Sequence, residues 1–558
     1  MDNLNDLFVF LDTNQLGNMY FGKPKQTPMR AVLKIRNDDS AMLSKLLIYV
    51  DVTDIKSKGK LFGKEYMLTG VAPKEQYCID VDFSDINIYG TFDVTIKING
   101  ETAEAVSHTK IARVPIAERQ LDFLAINTHI AAHAGEGQDI GIDLVKKAGC
   151  GWIMEDMLWC QCEHEKGVFN IPEDQKIFAK KCDEAGLKIR FNMDARGPQA
   201  FYAEGSHPVK DVQIEQFARY CTEVAKEFKG RGCAYEICSE WDHQCKAQKS
   251  ETENSPEAYA RLLQASYKAI KAVDPDAMVL HAGTCRCNVK WMKRMLEAGG
   301  AGYTDALAIH PYPYHLFQIS PAYTCTQTWM SILDMYNEYE RLSNKYCGGI
   351  PVWNTESGWS TCTEFVNGCT EILQAAYTLQ MYIVSKVNKL VEKLNFYVLT
   401  DCGKDLAEYE HMIGLLGTPG KREEDEVPYL IKPAYNVLPV MANLLWDIEF
   451  VKSFDLNDYL TIYQFRNSEG KYVTTFFTME GVVGELTVNT SEFTEKDKAF
   501  DMYSNEFKPV IKDSKASFIA SDYPIMLFTD TPVEDISIGN MKNMKDIPEN
   551  ITDLFAII

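Results

Sequence analysis

Three regimes of hydrophobic patterning follow one another along the chain. Near the start, apolar positions come in short runs: Ala31-Val32-Leu33-Lys34-Ile35, Leu46-Leu47-Ile48-Tyr49-Val50 and Phe92-Asp93-Val94-Thr95-Ile96-Lys97-Ile98. The third alternates apolar and polar residues, which is the period of a half-buried strand. Asn99-Gly100 behind it marks a hairpin turn. Residues 1–118 are therefore expected to form a β-sandwich. The same pattern returns near residue 446, in Tyr459-Leu460-Thr461-Ile462-Tyr463-Gln464-Phe465, Tyr472-Val473-Thr474-Thr475-Phe476-Phe477 and Pro524-Ile525-Met526-Leu527-Phe528. Residues 446–558 are expected to form a second sandwich.

Between them, residues 119–445 alternate strand and helix. Strand runs fall at 123–127, 151–155, 187–193, 234–239, 277–282, 305–310, 350–355 and 394–400. Within 210–229 the residues Ile214, Phe217, Cys221, Val224 and Phe228 recur at steps of three and four, one face of a helix. Gly230 suits the end of that helix, and Ser255-Pro256 reads as an N-cap with proline in the first turn. Eight strands alternating with helices predict an α/β fold, a (β/α)8 TIM barrel flanked by N-terminal and C-terminal β-sandwich domains. A doubly wound sheet is disfavoured because no G-x-G-x-x-G follows the first strand.

Charge and composition narrow the partners. The 558 residues carry 57 Lys+Arg against 79 Asp+Glu, a formal charge of −22. Nucleic acid and anionic membranes reward clustered cations, so both are disfavoured, and a neutral carbohydrate fits better. No apolar run approaches the ~18 residues of a membrane span. Met1-Asp2-Asn3-Leu4-Asn5-Asp6 lacks the basic and apolar regions of a signal peptide. The expectation is a cytoplasmic protein, or a secreted one if a leader has been removed. Sixteen cysteines mostly sit inside apolar segments, such as Cys182, Cys221, Cys233 and Cys238, and read as small core residues. Self-association is left open.

Active groups of such barrels sit at the C-terminal ends of the strands. The fourth strand ends Tyr235-Glu236-Ile237-Cys238-Ser239-Glu240-Trp241, and the seventh ends Val352-Trp353-Asn354-Thr355-Glu356-Ser357-Gly358-Trp359. Each finishes on a carboxylate beside tryptophan. Two carboxylates about 5–5.5 Å apart are what retaining glycoside hydrolysis needs, one as acid and one as nucleophile. Tryptophan offers a flat apolar face to a sugar ring, so Trp241 and Trp359 are candidate sugar contacts, with Asp242 and His243 next in line. By position alone, His129 and His133 after the first strand either line the pocket or are polar loop residues. Asp401 after the eighth strand either touches sugar or caps the following turn. Cys160-Gln161-Cys162-Glu163-His164 and Cys285-Arg286-Cys287 gather metal-ligand types without a second pair at zinc spacing, so no metal is expected.

These motifs resemble the retaining (β/α)8 glycoside hydrolases of clan A, nearest to family 39. The resemblance runs through Ala148-Gly149-Cys150-Gly151-Trp152-Ile153, Trp159, Glu163-His164-Glu165-Lys166-Gly167-Val168-Phe169 and Tyr235-Glu236-Ile237-Cys238-Ser239-Glu240. It continues in His310-Pro311-Tyr312, Trp353-Asn354-Thr355-Glu356-Ser357-Gly358-Trp359, Gly414-Leu415-Leu416 and Lys432-Pro433-Ala434-Tyr435. It implies Glu240 as acid/base and Glu356 as nucleophile, with His310 and Tyr312 beside them and Tyr312 bonding the nucleophile. It also implies sugar contacts from Ser239 and Trp159 and no cofactor. Two positions depart from the clan. Ser239 stands where Asn usually binds the sugar 2-hydroxyl. Met154 stands where Arg often supports the nucleophile, so the nucleophile's pKa is expected to sit higher than in relatives. The expected activity is that of a retaining β-glycosidase acting on a neutral oligo- or polysaccharide. The alternative is a carbohydrate-binding pseudo-enzyme that keeps the pocket without turnover.

Overall fold

The computed structural model describes the chain apart from residues 1–6, 101–103, 132–135, 196–207, 245–254, 286, 313–330, 365–367, 419, 422–425, 428, 490–495, 514 and 544–558. His133 lies outside the described residues, and so does the side chain of His243.

Alternation of apolar and polar residues makes two facing sheets near the N-terminus. Leu7–Asp12, Arg30–Asn37 and Gln76–Asp82 form one. The other is ordered Met19–Phe21, Glu104–Val114, Gly90–Asn99, Leu43–Asp54 and Lys60–Val71. Gly90–Asn99 and Glu104–Val114 pair antiparallel, the hairpin expected after Asn99. Every second residue of Leu43–Asp54 from Leu46 to Asp54 is buried. Leu33, Ile48, Val50, Phe83 and Val94 make up much of the shared core. Toward the C-terminus a six-stranded and a four-stranded sheet share a second core that includes Leu460, Phe476, Leu486 and Phe518.

The middle of the chain is a barrel. Its strands are β1 (Leu121–Asn127), β2 (Cys150–Leu158), β3 (Lys188–Asp194), β4 (Ala234–Ile237), β5 (Met278–His281), β6 (Leu307–His310), β7 (Val352–Ser357) and β8 (Val391–Phe396). They pair parallel in ring order, with β8 against β1. The ring closes between β5 and β6 through a bridge from Leu280 to Ala306, and Thr284–Cys285 also pairs with β6. All eight predicted runs are present. The fourth and eighth end earlier than their apolar runs, because the chain turns at Cys238 and passes through a cis Tyr397–Val398 peptide.

Helices cover the outside. Helix Asp211–Glu227 buries Ile214, Phe217, Cys221 and Val224, the face that the three-four spacing defines, and Gly230 beyond it has a left-handed φ of 77°. Ser255 caps Pro256–Val273 by accepting from the Ala258 amide. The described cysteines are free thiols, and most are buried. Among the described residues no helix is long and apolar enough to cross a membrane.

Candidate active site

Successive side chains of a barrel strand point alternately inward and outward. The innermost apolar layer is Ala125, Trp152, Ala234, Leu280, Ala306, Ala308 and Trp353, with the two indole rings edge to face at 5.5 Å. Two residues further along the strands, the interior turns polar while staying buried: Asn127, Arg190, Glu236, Thr355 and Asn395. Arg190 pairs with Glu236 and donates to the Thr355 carbonyl at 2.8 Å. Asn395 Nδ2 donates to the same carbonyl at 2.6 Å. Glu236 also accepts the Gly283 amide at 2.8 Å. Desolvating such a pair is offset only when its remaining lone pairs and protons are bonded, as they largely are here. The result is a fixed polar floor.

Both carboxylates stand above that floor. Glu240 lies three residues past β4, where Cys238 and Glu240 take left-handed φ values of 65° and 45°. That backbone region is strained for non-glycine residues and is held only by surrounding bonds. The Glu240 amide donates to the Gly283 carbonyl at 3.0 Å, and the Cys238 amide to the Met193 carbonyl at 3.1 Å. Glu356 sits in β7, where the register to β8 shifts between Asn354 and Ser357.

His310, at the end of β6, is fully buried between the carboxylates. Its Nδ1 is 3.0 Å from Glu240 Oε1 and 3.6 Å from Glu356 Oε2, and its Nε2 is 3.7 Å from Glu236 Oε1. Tyr312 donates its hydroxyl to Glu356 Oε2 at 3.0 Å. One atom each from Glu240, His310 and Glu356 lies within 4.8 Å of the others. Burial opposes a charged imidazole, but Glu356, Glu236 and Glu240 outweigh it and raise the His310 pKa well above its ordinary value. A protonated ring has no lone pair for a metal and serves here as the cation of the cluster. Glu356 is raised above the usual carboxylate range. Burial is the main cause, His310 opposes it, Glu240 and Glu236 add to it, and Arg190 opposes it. The cationic support that Met154 does not supply therefore comes from His310 and, at longer range, Arg190.

The carboxylates open into a cavity of about 220 Å³. Ser239, Tyr312 and His129 line it, as does Met154. His129 Nδ1 is 3.4 Å from Asp156 Oδ2, so the pocket reading of that histidine holds over the loop reading.

The tryptophans are elsewhere. Trp241, Trp359 and Trp159 are each at most 2% exposed. Trp241 packs on Tyr259 at 5.3 Å and Trp359 on Tyr377 at 5.6 Å. Trp159 lies against Phe217 and Tyr220, and its Nε1 donates to Glu163 Oε2 at 2.7 Å. The expectation that these rings face sugar is corrected: rings of 150–250 Å² gain more by packing beneath the loops than by lining a wet pocket. Asp242 is likewise structural, accepting the Cys285 amide and Asn288 Nδ2, both at 3.0 Å. Asp401 takes the turn reading. It accepts the Gly414 amide at 2.8 Å and pairs with Lys432 Nζ at 2.7 Å, both side chains being buried. The pair borders a different cavity of about 430 Å³, against Asn18 and Lys110 of the N-terminal sheets.

The strand-end motifs do not single out Arg190, Glu236, Asp156, Asn192, Asp194, Tyr397 or Glu410. Most were accessible through phase. Residues 190, 192 and 194 share one face of β3, and 154 and 156 share one face of β2. Glu410 had no such signal, because the turn Tyr409–Met412 brings it to the cavity from outside the barrel strands.

The chain superposes on a family 39 glycoside hydrolase from the gut symbiont Bacteroides cellulosilyticus WH2 with a TM-score of 0.71, at 19% identity, over 92% of this chain and 99% of that one. The two share a fold. The catalytic domain of GH30 xylanase C from Talaromyces cellulolyticus is looser, with a TM-score of 0.48 and 11% identity over 75% of this chain and 98% of that one. No protein-family model and no curated protein sequence matches the chain.

Proposed function

We propose that the chain is a retaining β-glycosidase acting by double displacement. The observation that carries this reading is the proximity of Glu240 and Glu356, whose facing oxygens lie within 4.8 Å across the mouth of a barrel. That spacing suits direct attack rather than an interposed water. The shared fold with a family 39 glycoside hydrolase supports it.

Counting charge assigns the roles. Arg190 and protonated His310 supply two positive charges, and Glu236, Glu240 and Glu356 supply three carboxyl groups. The cluster is neutral when one carboxyl keeps its proton. Glu240 suits that role: His310 Nδ1–H donates to its Oε1, leaving the other oxygen to carry the acid proton. Glu356 is held by the Tyr312 hydroxyl and attacks the anomeric carbon. Glu240 gives its proton to the leaving oxygen as that bond breaks, and a glycosyl ester forms on Glu356. Glu240, now a base, takes a proton from water, which attacks the same carbon and frees Glu356. The acceptor is a carbohydrate chain, and no step needs a cofactor.

A 2-fluoro glycoside with a good leaving group tests the reading. It should leave a sugar ester on Glu356, found by peptide mapping and mass spectrometry. An ester on any other carboxylate would remove the assignment.

A further inference from the structure

The wall made by β2 and β3 is built from acceptors. Asp156 pairs in register with Asn192, and Asp194 follows two residues later on the same face. Asn192 Nδ2 donates to Asp156 Oδ1 at 2.8 Å. Asn192 itself is only 7% exposed, lines the cavity, and has an Oδ1 with no hydrogen-bond partner. Glu410 reaches the same space from the turn after β8. With Glu240 and Glu356, five carboxyl groups surround about 220 Å³.

Against them, among the described lining residues, stands one titratable cation, His129, already beside Asp156. No described lysine or arginine lines the cavity. Burial first, and then the charge of Glu240, push the Glu410 carboxyl upward, which is the signature of like charges crowded together. A carboxylate and an amide oxygen only accept. The ligand that relieves this wall brings donors and positive charge. A sugar carboxylate would add a sixth anion. An N-acetyl group would remove the charge and offer one donor where an ammonium offers three.

We infer that the pocket takes a glycoside whose sugar carries a free ammonium group, held by Asp156, Asp194 and the Asn192 Oδ1. This inference rests on the glycosidase reading for its chemistry, and on the acceptor wall for its specificity.

The test uses aryl β-glucosides bearing a free amine at carbon 2, 3, 4 or 6, beside the plain glucoside, the N-acetylglucosaminide and the glucuronide. At least one amino glycoside should exceed the plain glucoside tenfold or more in kcat/KM, with the acetylated and uronic substrates below it. In Asp194→Asn the ratio of that amino glycoside to the glucoside should fall at least tenfold. A plain glucoside or glucuronide that equals or exceeds every amino glycoside overturns the inference while leaving the glycosidase reading intact. Binding of the corresponding free amino sugars and of glucose to Glu356→Gln, by calorimetry, separates the two claims. An ammonium preference there without turnover by wild type would sink hydrolysis alone. Equal binding of all the sugars would sink the ammonium site.

Discussion

The His310 Nδ1 lies 3.0 Å from Oε1 of Glu240, and the same nitrogen faces Oε2 of Glu356 at 3.6 Å. One imidazole thus serves both carboxylates, while its other nitrogen looks toward Glu236. A single proton donor couples the acid and the nucleophile, so disturbing the ring disturbs both steps of the reaction.

That coupling sets the pH dependence. Glu356 must be ionised to attack, and its carboxyl is raised, chiefly by burial. The acid limb of kcat/KM is expected above the ~4.3 of an ordinary glutamate. On the alkaline side His310 must keep its proton, and Glu236 is one of the anions that hold it. Glu236→Gln should therefore move the alkaline limb to lower pH. A profile in which the acid limb sits at ordinary glutamate values, with no shift in the variant, would contradict the charge cluster.

Gly283 leaves the room that His310 occupies. A Cβ there would meet His310 Nε2 at 2.2 Å and Thr355 Oγ1 at 2.8 Å. Gly283→Ala should displace the ring and lower kcat by about 10²-fold, on the scale of losing one preorganised donor. Overpacking should cost about 1–3 kcal/mol of stability. Steady-state kinetics with urea unfolding checks both, and full kcat in a destabilised variant would show that the ring's placement does not matter.

An acid is needed most when the leaving group is poor. Glu240→Ala should cripple hydrolysis of alkyl glycosides far more than that of activated aryl ones. Azide should rescue the activated substrate by attacking the exposed glycosyl-enzyme. Equal losses on both substrates without an azide effect would assign Glu240 a structural role.

The Asp401–Lys432 pair is buried on both sides, and Lys432 also donates to Thr361 Oγ1 at 2.9 Å and to the Gly414 carbonyl at 3.1 Å. Lys432→Met leaves Asp401 charged and unpaired by its lysine in the interior, at a cost of about 3–5 kcal/mol. Chemical denaturation measures it. Asp401→Asn should lower stability with little change in KM, whereas a KM change at unaltered stability would return Asp401 to the sugar.

By itself the sequence carried the alternation of strand and helix, the eight barrel runs, the flanking β patterns and the two glutamates, because each is encoded within a few neighbouring residues. Period-two patterning sets which face of a strand is buried, and a strand's last residues lie at the barrel mouth whatever the loops do. It also held the Tyr312 contact, through the short span from His310 along one strand end. The tertiary structure alone decided which atoms meet across the ring. Arg190 and Glu236 are 46 residues apart and Asp401 and Lys432 are 31 apart, and no local pattern pairs them. It also turned Trp241 and Trp359 inward, because a flat apolar ring next to a catalytic residue is drawn to the nearest core before it is available to a ligand. Glu410 reached the pocket by the path of a loop, and loop paths follow from packing against distant elements rather than from their own composition.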